Sequence, residues 1–144
     1  ANLVGTIDEA ASIQALLATR APSDRILLRE GFQSDEDIDA LIRASALSVF
    51  PYRRLSGQSG AACRAAAMGC PVLVSQVGAL ADLAIDDSWT VRPGDVEGLA
   101  HRMVEKLRGP AALAGARQDQ LAAIRGYDWS AIARAHQQLY RSLA

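Results

Sequence analysis

Lysine is almost missing from this sequence: Lys106 is the only one, and it lies inside a late helical pattern rather than behind a glycine-rich turn. That excludes a Walker phosphate loop, whose lysine follows its glycines to reach the terminal phosphates. No apolar run is long enough to span a bilayer, and acids and bases are interspersed at a formal net charge of -1. Neither a membrane span nor a nucleic-acid surface is therefore expected. The first strand-to-helix turn holds Gly5 alone, without the spaced glycines of a dinucleotide-binding turn. Cys63 and Cys70 lack both the close pairing of a redox motif and the ligand number of a zinc site, so two buried thiols are expected and no metal. A phosphoacceptor signalling domain would need an acidic cluster after the first strand and a lysine after a later one; neither is there. Nor does a signal peptide or an initiator methionine open the chain, and Ala1 reads as a cut in a longer protein.

What is present is apolar material and alternation. At 144 residues and 50% hydrophobic, the chain has enough for one core, and a single Rossmann-like domain over residues 1–144 is expected. Short β-type runs alternate with longer helical patterns, the signature of a doubly wound parallel α/β sheet with helices on both faces. Leu3-Val4 reads as the tail of a strand, Gly5-Thr6 as a turn and Asp8–Thr19 as a helix. After the turn Pro22–Asp24 come a strand over Arg25–Arg29 and a helix capped by Ser34 or Asp35 and running through Ala44. Leu47–Phe50 is a third strand, ended by Pro51. A helix over Gly60–Met68 is stopped by Gly69 and Pro71, and strand Val72–Ser75 follows. Further on, Ala79–Ala84 is a short helical piece, Trp89–Val91 a strand, and Arg92–Asp95 a turn capping a helix through Leu107. Two more helices follow Pro110 and Ser130.

In such a sheet, ligands bind beyond the carboxyl ends of the strands. Three loops belong to that edge and are expected to converge on one crevice: Gly5-Thr6, Gly31–Ser34 and Ser56–Gly60. Each offers backbone N–H groups and small side chains at a helix start, where unpaired donors and partial positive charge suit a phosphate. Any one of them alone equally suits a tight turn with a cap. The last, Ser56-Gly57-Gln58-Ser59-Gly60, is denser in glycine and serine than a turn requires.

Other conspicuous residues read as structure. His101 and His136 are far apart and have no metal-ligand spacing. Trp89 and Trp129 are expected to pack helix against sheet, Trp129 over the core edge. Asp35, Glu36, Asp37 and Asp39 suit a helix N-terminus, and Asp86-Asp87 a turn.

Taken in order, GFQSDEDIDALIRASALSVFPY, SGQSGAACRAAAMGCPVLVSQVGALADLA, VRPGDVEGLAHRM and YDWSAIARAHQQLYRSL resemble the carboxyl-terminal half of the group 1 glycosyltransferases with the GT-B fold. The resemblance implies one of two facing Rossmann-like domains, the one that holds a nucleotide diphosphate sugar. The missing amino-terminal domain would hold the acceptor, a saccharide or a lipid, and transfer would be retaining, with no cofactor and no obligatory metal. Two family glutamates, one near the donor sugar and one on the ribose, fall at Ser56 and Arg64, and neither is acidic here. A sub-pattern of the family matches Tyr52-Arg53-Arg54 and Gln58-Ser59-Gly60 more closely, with loop amides and hydroxyls serving the diphosphate or sugar. The donor-binding residues implied are Gly31, Phe32, Gln33, Ser56, Gly57, Gln58, Ser59, Gly60 and Arg64; no catalytic residue is assigned. The family's phosphate-binding arginine and lysine precede the part represented, which leaves Arg53, Arg54 and Arg64 as local cations. A cytoplasmic location is expected, as suits two free thiols, with membrane association only through the missing domain. The alternative is a non-catalytic, degenerate module used for assembly or regulation.

Overall fold

The computed structural model describes residues 2–5, 15, 18 and 26–143. They fall into two compact units, Ala1–Leu41 and Ile42–Ala144.

In the first unit, β1 (Asn2–Gly5) and β2 (Leu27–Glu30) pair in parallel, with Asn2 opposite Leu27 and Gly5 opposite Glu30. Parallel neighbours need a long crossover, and Ala15 and Ala18 within it are helical. The remainder of the helix expected over Asp8–Thr19, together with Thr6, Arg20, the turn at Pro22–Asp24 and Arg25, lies outside the described residues. Ile26 is not in the strand, and β2 ends one residue beyond the expected Arg29, at Glu30. Gly31 then turns the chain at φ +87°. Ser34 caps α1 (Asp35–Ala44): its Oγ accepts from the Asp37 amide at 3.1 Å and donates to Asp37 Oδ2 at 2.7 Å. Asp35, Glu36 and Asp37 occupy the first turn and Arg43 the last, each sign at the dipole end that favours it.

The second unit is built on β3 (Ser48–Phe50), β4 (Val72–Ser75) and β5 (Thr90–Val91), in that spatial order and all parallel. Ser48 lies opposite Val72, and Val74 opposite Thr90. β4 is central and buried throughout, as a continuous apolar run covered on both faces should be. Helix α2 (Gly60–Ala67) precedes it and buries Ala62, Ala65 and Ala66, spaced i, i+3, i+4 on one face. Leu80 and Leu83, from a 3-10 segment over Gly78–Leu83, complete the core around Leu73. The short helical piece expected at Ala79–Ala84 is this 3-10 segment, one residue earlier.

Gly69 ends α2 in a Schellman motif. Its N–H donates to the Ala66 carbonyl at 2.9 Å and the Cys70 N–H to that of Ala65 at 3.0 Å. Glycine is favoured there by φ +71°, and the Leu121 side chain, 3.1 Å from where a β-carbon would stand, would have to give way to any larger residue.

Beyond β5, Asp95 caps α3 (Val96–Leu107), its Oδ1 accepting from the Gly98 amide at 2.8 Å. α4 (Pro110–Ala123) and α5 (Trp129–Ser142) follow, the latter capped by Asp128. No residue of α5 is buried, although its sequence is strongly amphipathic. Three expectations are corrected here. Trp129 does not cover the core: it sits in the first turn of α5, 86% exposed, because that helix has no covered face. Trp89 is buried as expected but belongs to a 3-10 turn over Asp87–Trp89, so β5 starts at Thr90; Asp86 caps this turn and bends the chain before the strand. Of the two thiols only Cys70 is buried, since Cys63 falls beside rather than on the alanine face of α2.

Among the described residues, no helix is long and apolar enough to cross a membrane.

Candidate functional site

Every strand of the second unit ends at one edge, and the loops there carry the polar chemistry. After β3 the chain runs through Pro51 and Tyr52 into Arg53–Gln58, then starts α2 at Ser59. Ser59 has extended backbone dihedrals, and its Oγ accepts from the Ala62 amide at 3.2 Å, which is N-cap geometry. The side chain is only 7% exposed. Its hydroxyl has a second partner in the Tyr52 hydroxyl at 3.2 Å. Tyr52, half-buried, meets Phe50 edge-to-face at a centroid distance of 6.2 Å.

The rest of the loop is open. Ser56, Gly57, Gln58 and Gly60 are exposed, as are Arg53 and Arg54, which have no carboxylate partner among the described residues. Gly57 and Gly60 have ordinary φ values, and a β-carbon at either would meet nothing within 4 Å. Neither backbone conformation nor packing demands glycine at these two places. Arg64, one turn into α2, is half-buried and already engaged within the chain.

The turn after β4 lies against this loop. Gly78, at φ +52°, places the position of a β-carbon 3.5 Å from the Leu55 carbonyl oxygen and 3.7 Å from that of Gly57. These are ordinary contacts, so it is the left-handed backbone that calls for glycine. Before it, Gln76 is tied to β5: its amide donates to the Val91 carbonyl at 2.9 Å and its Nε2 to Thr90 Oγ1 at 2.9 Å.

A hollow of about 780 Å³ opens beside β5 rather than at the glycine loop, lined by Gln76, Thr90, Arg92, Asp95, His101 and Arg102 among others. Asp87, Asp95 and Glu97 oppose its cations, so it offers no single sign to a diphosphate. The glycine loop, with Arg53 and Arg54, the head of α2 and no acid between Tyr52 and Arg64, suits an anion better. Lys106 takes no part in either place. Its Nζ donates to Ser88 Oγ at 2.6 Å and stands 4.7 Å from the centroid of the Trp89 ring.

The other sequence-derived positions lie in the first unit. Gly31 follows β2, Phe32 is 96% exposed, and half-buried Gln33 donates from Nε2 to the Gly31 carbonyl at 3.4 Å. His101 and His136 are exposed on helices, and among the described residues no cluster of His, Cys, Asp and Glu suits a metal ion. Two contributors were not singled out by sequence reasoning: the Tyr52–Ser59 pairing and the seat of Gly78 against the loop. Both join residues across the strand edge, for which no local spacing rule exists.

The profile of the family described as glycosyl transferases group 1 matches residues 2–108. The chain belongs to the group 1 glycosyltransferases. In three dimensions it is similar to sucrose-phosphate synthase from Thermosynechococcus elongatus, with a TM-score of 0.78 and 26% identity. That similarity covers 99% of this chain and 38% of the other, so the chain spans well under half the length of that glycosyltransferase. No curated protein sequence matches it. The parallel α/β architecture expected from the alternation is that of its family.

Proposed function

We propose that this chain is the donor-binding part of a retaining glycosyltransferase. It would bind a nucleotide diphosphate sugar with the diphosphate against Ser56–Gly60, and a companion domain would bring a saccharide or lipid acceptor. In the transfer, the bond from the sugar's anomeric carbon to the diphosphate breaks, a bond to the acceptor oxygen forms, and the acceptor hydroxyl loses its proton. The leaving diphosphate gains charge as this happens. Preorganised N–H groups and nearby cations stabilise that charge. The Gly60 and Ala61 amides at the head of α2 would provide the former and Arg53 and Arg54 the latter; Gly31, Phe32 and Gln33 are proposed as further donor contacts.

The single observation that carries this reading is the pair Gly57 and Gly60. A glycine that the fold does not need leaves its backbone open to close approach by something other than the chain. Family membership supports a nucleotide diphosphate sugar as that something. The 38% coverage of the related synthase supports the need for a companion domain, without which the chain would bind nucleoside diphosphates weakly and turn over nothing. Titration with nucleoside diphosphates, followed by amide NMR, should shift Gly31–Ser34 and Ser56–Gly60. Shifts confined to other loops would rule out this site. One observation favours the second reading, a degenerate assembly or regulatory module: Ser56 and Arg64 stand where carboxylates would contact sugar and ribose. That reading predicts no shifts at all.

A further inference from the structure

We propose that Tyr52 is a positioning residue for the nucleotide diphosphate, acting through Ser59 to hold the Gly57–Gly60 turn in its binding geometry. The inference rests on the donor-site reading above. Arg53–Gln58 is a loop whose side chains, Leu55 apart, are exposed, so little packing of its own fixes its path. Its two ends are joined by the hydrogen bond between the Tyr52 and Ser59 hydroxyls, at 3.2 Å. Each end is anchored. Tyr52 leans edge-on against Phe50, the last residue of β3, which pairs with Val74 of the central strand. Ser59 is buried at the head of α2, where its carbonyl accepts from the Cys63 amide at 2.9 Å and its Oγ from that of Ala62.

The Ser59 hydroxyl has one proton and two lone pairs. The cap uses a lone pair, and in a nearly closed setting the remaining capacity goes to Tyr52, which therefore sets the rotation of the cap as well as the span of the loop. Removing the phenol hydroxyl leaves both anchors but unfastens them. The loop then has to be ordered by the ligand, and that ordering is subtracted from affinity. A phosphate held by loop amides feels this loss; a nucleoside without phosphate does not.

The test is a double-mutant cycle in the intact protein, with Tyr52→Phe and Ser59→Gly, since glycine remains an adequate N-cap while losing the hydroxyl. Binding of uridine, guanosine and adenosine diphosphates is measured beside that of the bare nucleosides, and folding is followed by thermal melting. Tyr52→Phe should weaken the preferred diphosphate about fivefold, the scale of one hydrogen bond, and leave the nucleoside unchanged. In the Ser59→Gly background the same substitution should change diphosphate affinity less than about twofold, because the partner is already gone. Equal effects in both backgrounds would overturn the path through Ser59. A lower melting temperature with unaltered affinities would make Tyr52 a purely structural residue. If the parent protein binds none of the three diphosphates, the donor-site reading itself falls and the role of Tyr52 falls with it.

Discussion

Gln120 of α4 completes the hydrogen bonding of Val72 at the start of β4. The Gln120 side chain is fully buried, its Oε1 accepting from the Val72 amide at 3.1 Å while its Nε2 donates to the Leu83 carbonyl at 2.8 Å. β5 reaches only Val74 and Ser75, so the glutamine takes over where the neighbouring strand stops. Gln120→Leu preserves bulk but strands a buried donor and a buried acceptor, at a cost of about 1–3 kcal/mol for each. Denaturant unfolding should show a large fall in midpoint, and a near-neutral result would mean that water replaces the amide.

Gly57→Ala and Gly60→Ala should leave stability unchanged or raise it by about 0.4–1 kcal/mol, since the native backbone there is open to any residue. Donor affinity should nevertheless fall several-fold. Calorimetry with nucleoside diphosphate beside thermal melting separates the two effects. Unimpaired binding in both variants would remove the argument from dispensable glycines.

Lys106→Met should cost about 1–2 kcal/mol through loss of the contact with the Trp89 ring and of the bond to Ser88. Nucleotide binding should not change, because the lysine stands between α3 and the turn before β5. A drop in donor affinity at matched stability would mean that the sole lysine reaches the site after all.

Among the described residues, Asp86 and Glu105 are held below their ordinary pKa values. Hydrogen bonding to Ser88 holds Asp86 below its ordinary value of 3.8, and Arg102 lowers Glu105 below 4.5. Depressed carboxylates stabilise the fold above their unfolded-state pKa, and that contribution is lost as pH falls through the lower, folded-state values. Thermal melts should therefore be flat from neutral pH to about 5 and decline below about 4. Asp86→Asn should flatten the acid limb, and an unaltered limb would assign the decline to other groups.

The strand at Val72–Ser75 was legible to the residue, because a β-branched run between Cys70-Pro71 and a polar turn leaves little choice. The cap at Asp95 was equally plain, whereas the earlier one was narrowed only to Ser34 or Asp35, and it is Ser34 whose hydroxyl meets the amide three residues on. Trp129 failed for a reason in kind: an aromatic at helical spacing states that a face exists, not that anything covers it. The nearness of Gly78 to Leu55 and Gly57 also escaped, since those residues are more than twenty positions away in sequence. Of the site, the amide-rich loop could be read from composition, whereas its fastening by Tyr52 depends on where β3 and α2 end in space.

The alanine face of α2 has a mechanical consequence. Ala62, Ala65 and Ala66 have no side-chain torsions with which to yield, and they rest on a strand that is itself fully buried. A push delivered at the head of this helix meets an anvil rather than a spring. If a ligand docks at Ser56–Gly60 as proposed, movement is expected in the exposed stretch Arg53–Gln58 rather than in the central strand or the buried face of the helix.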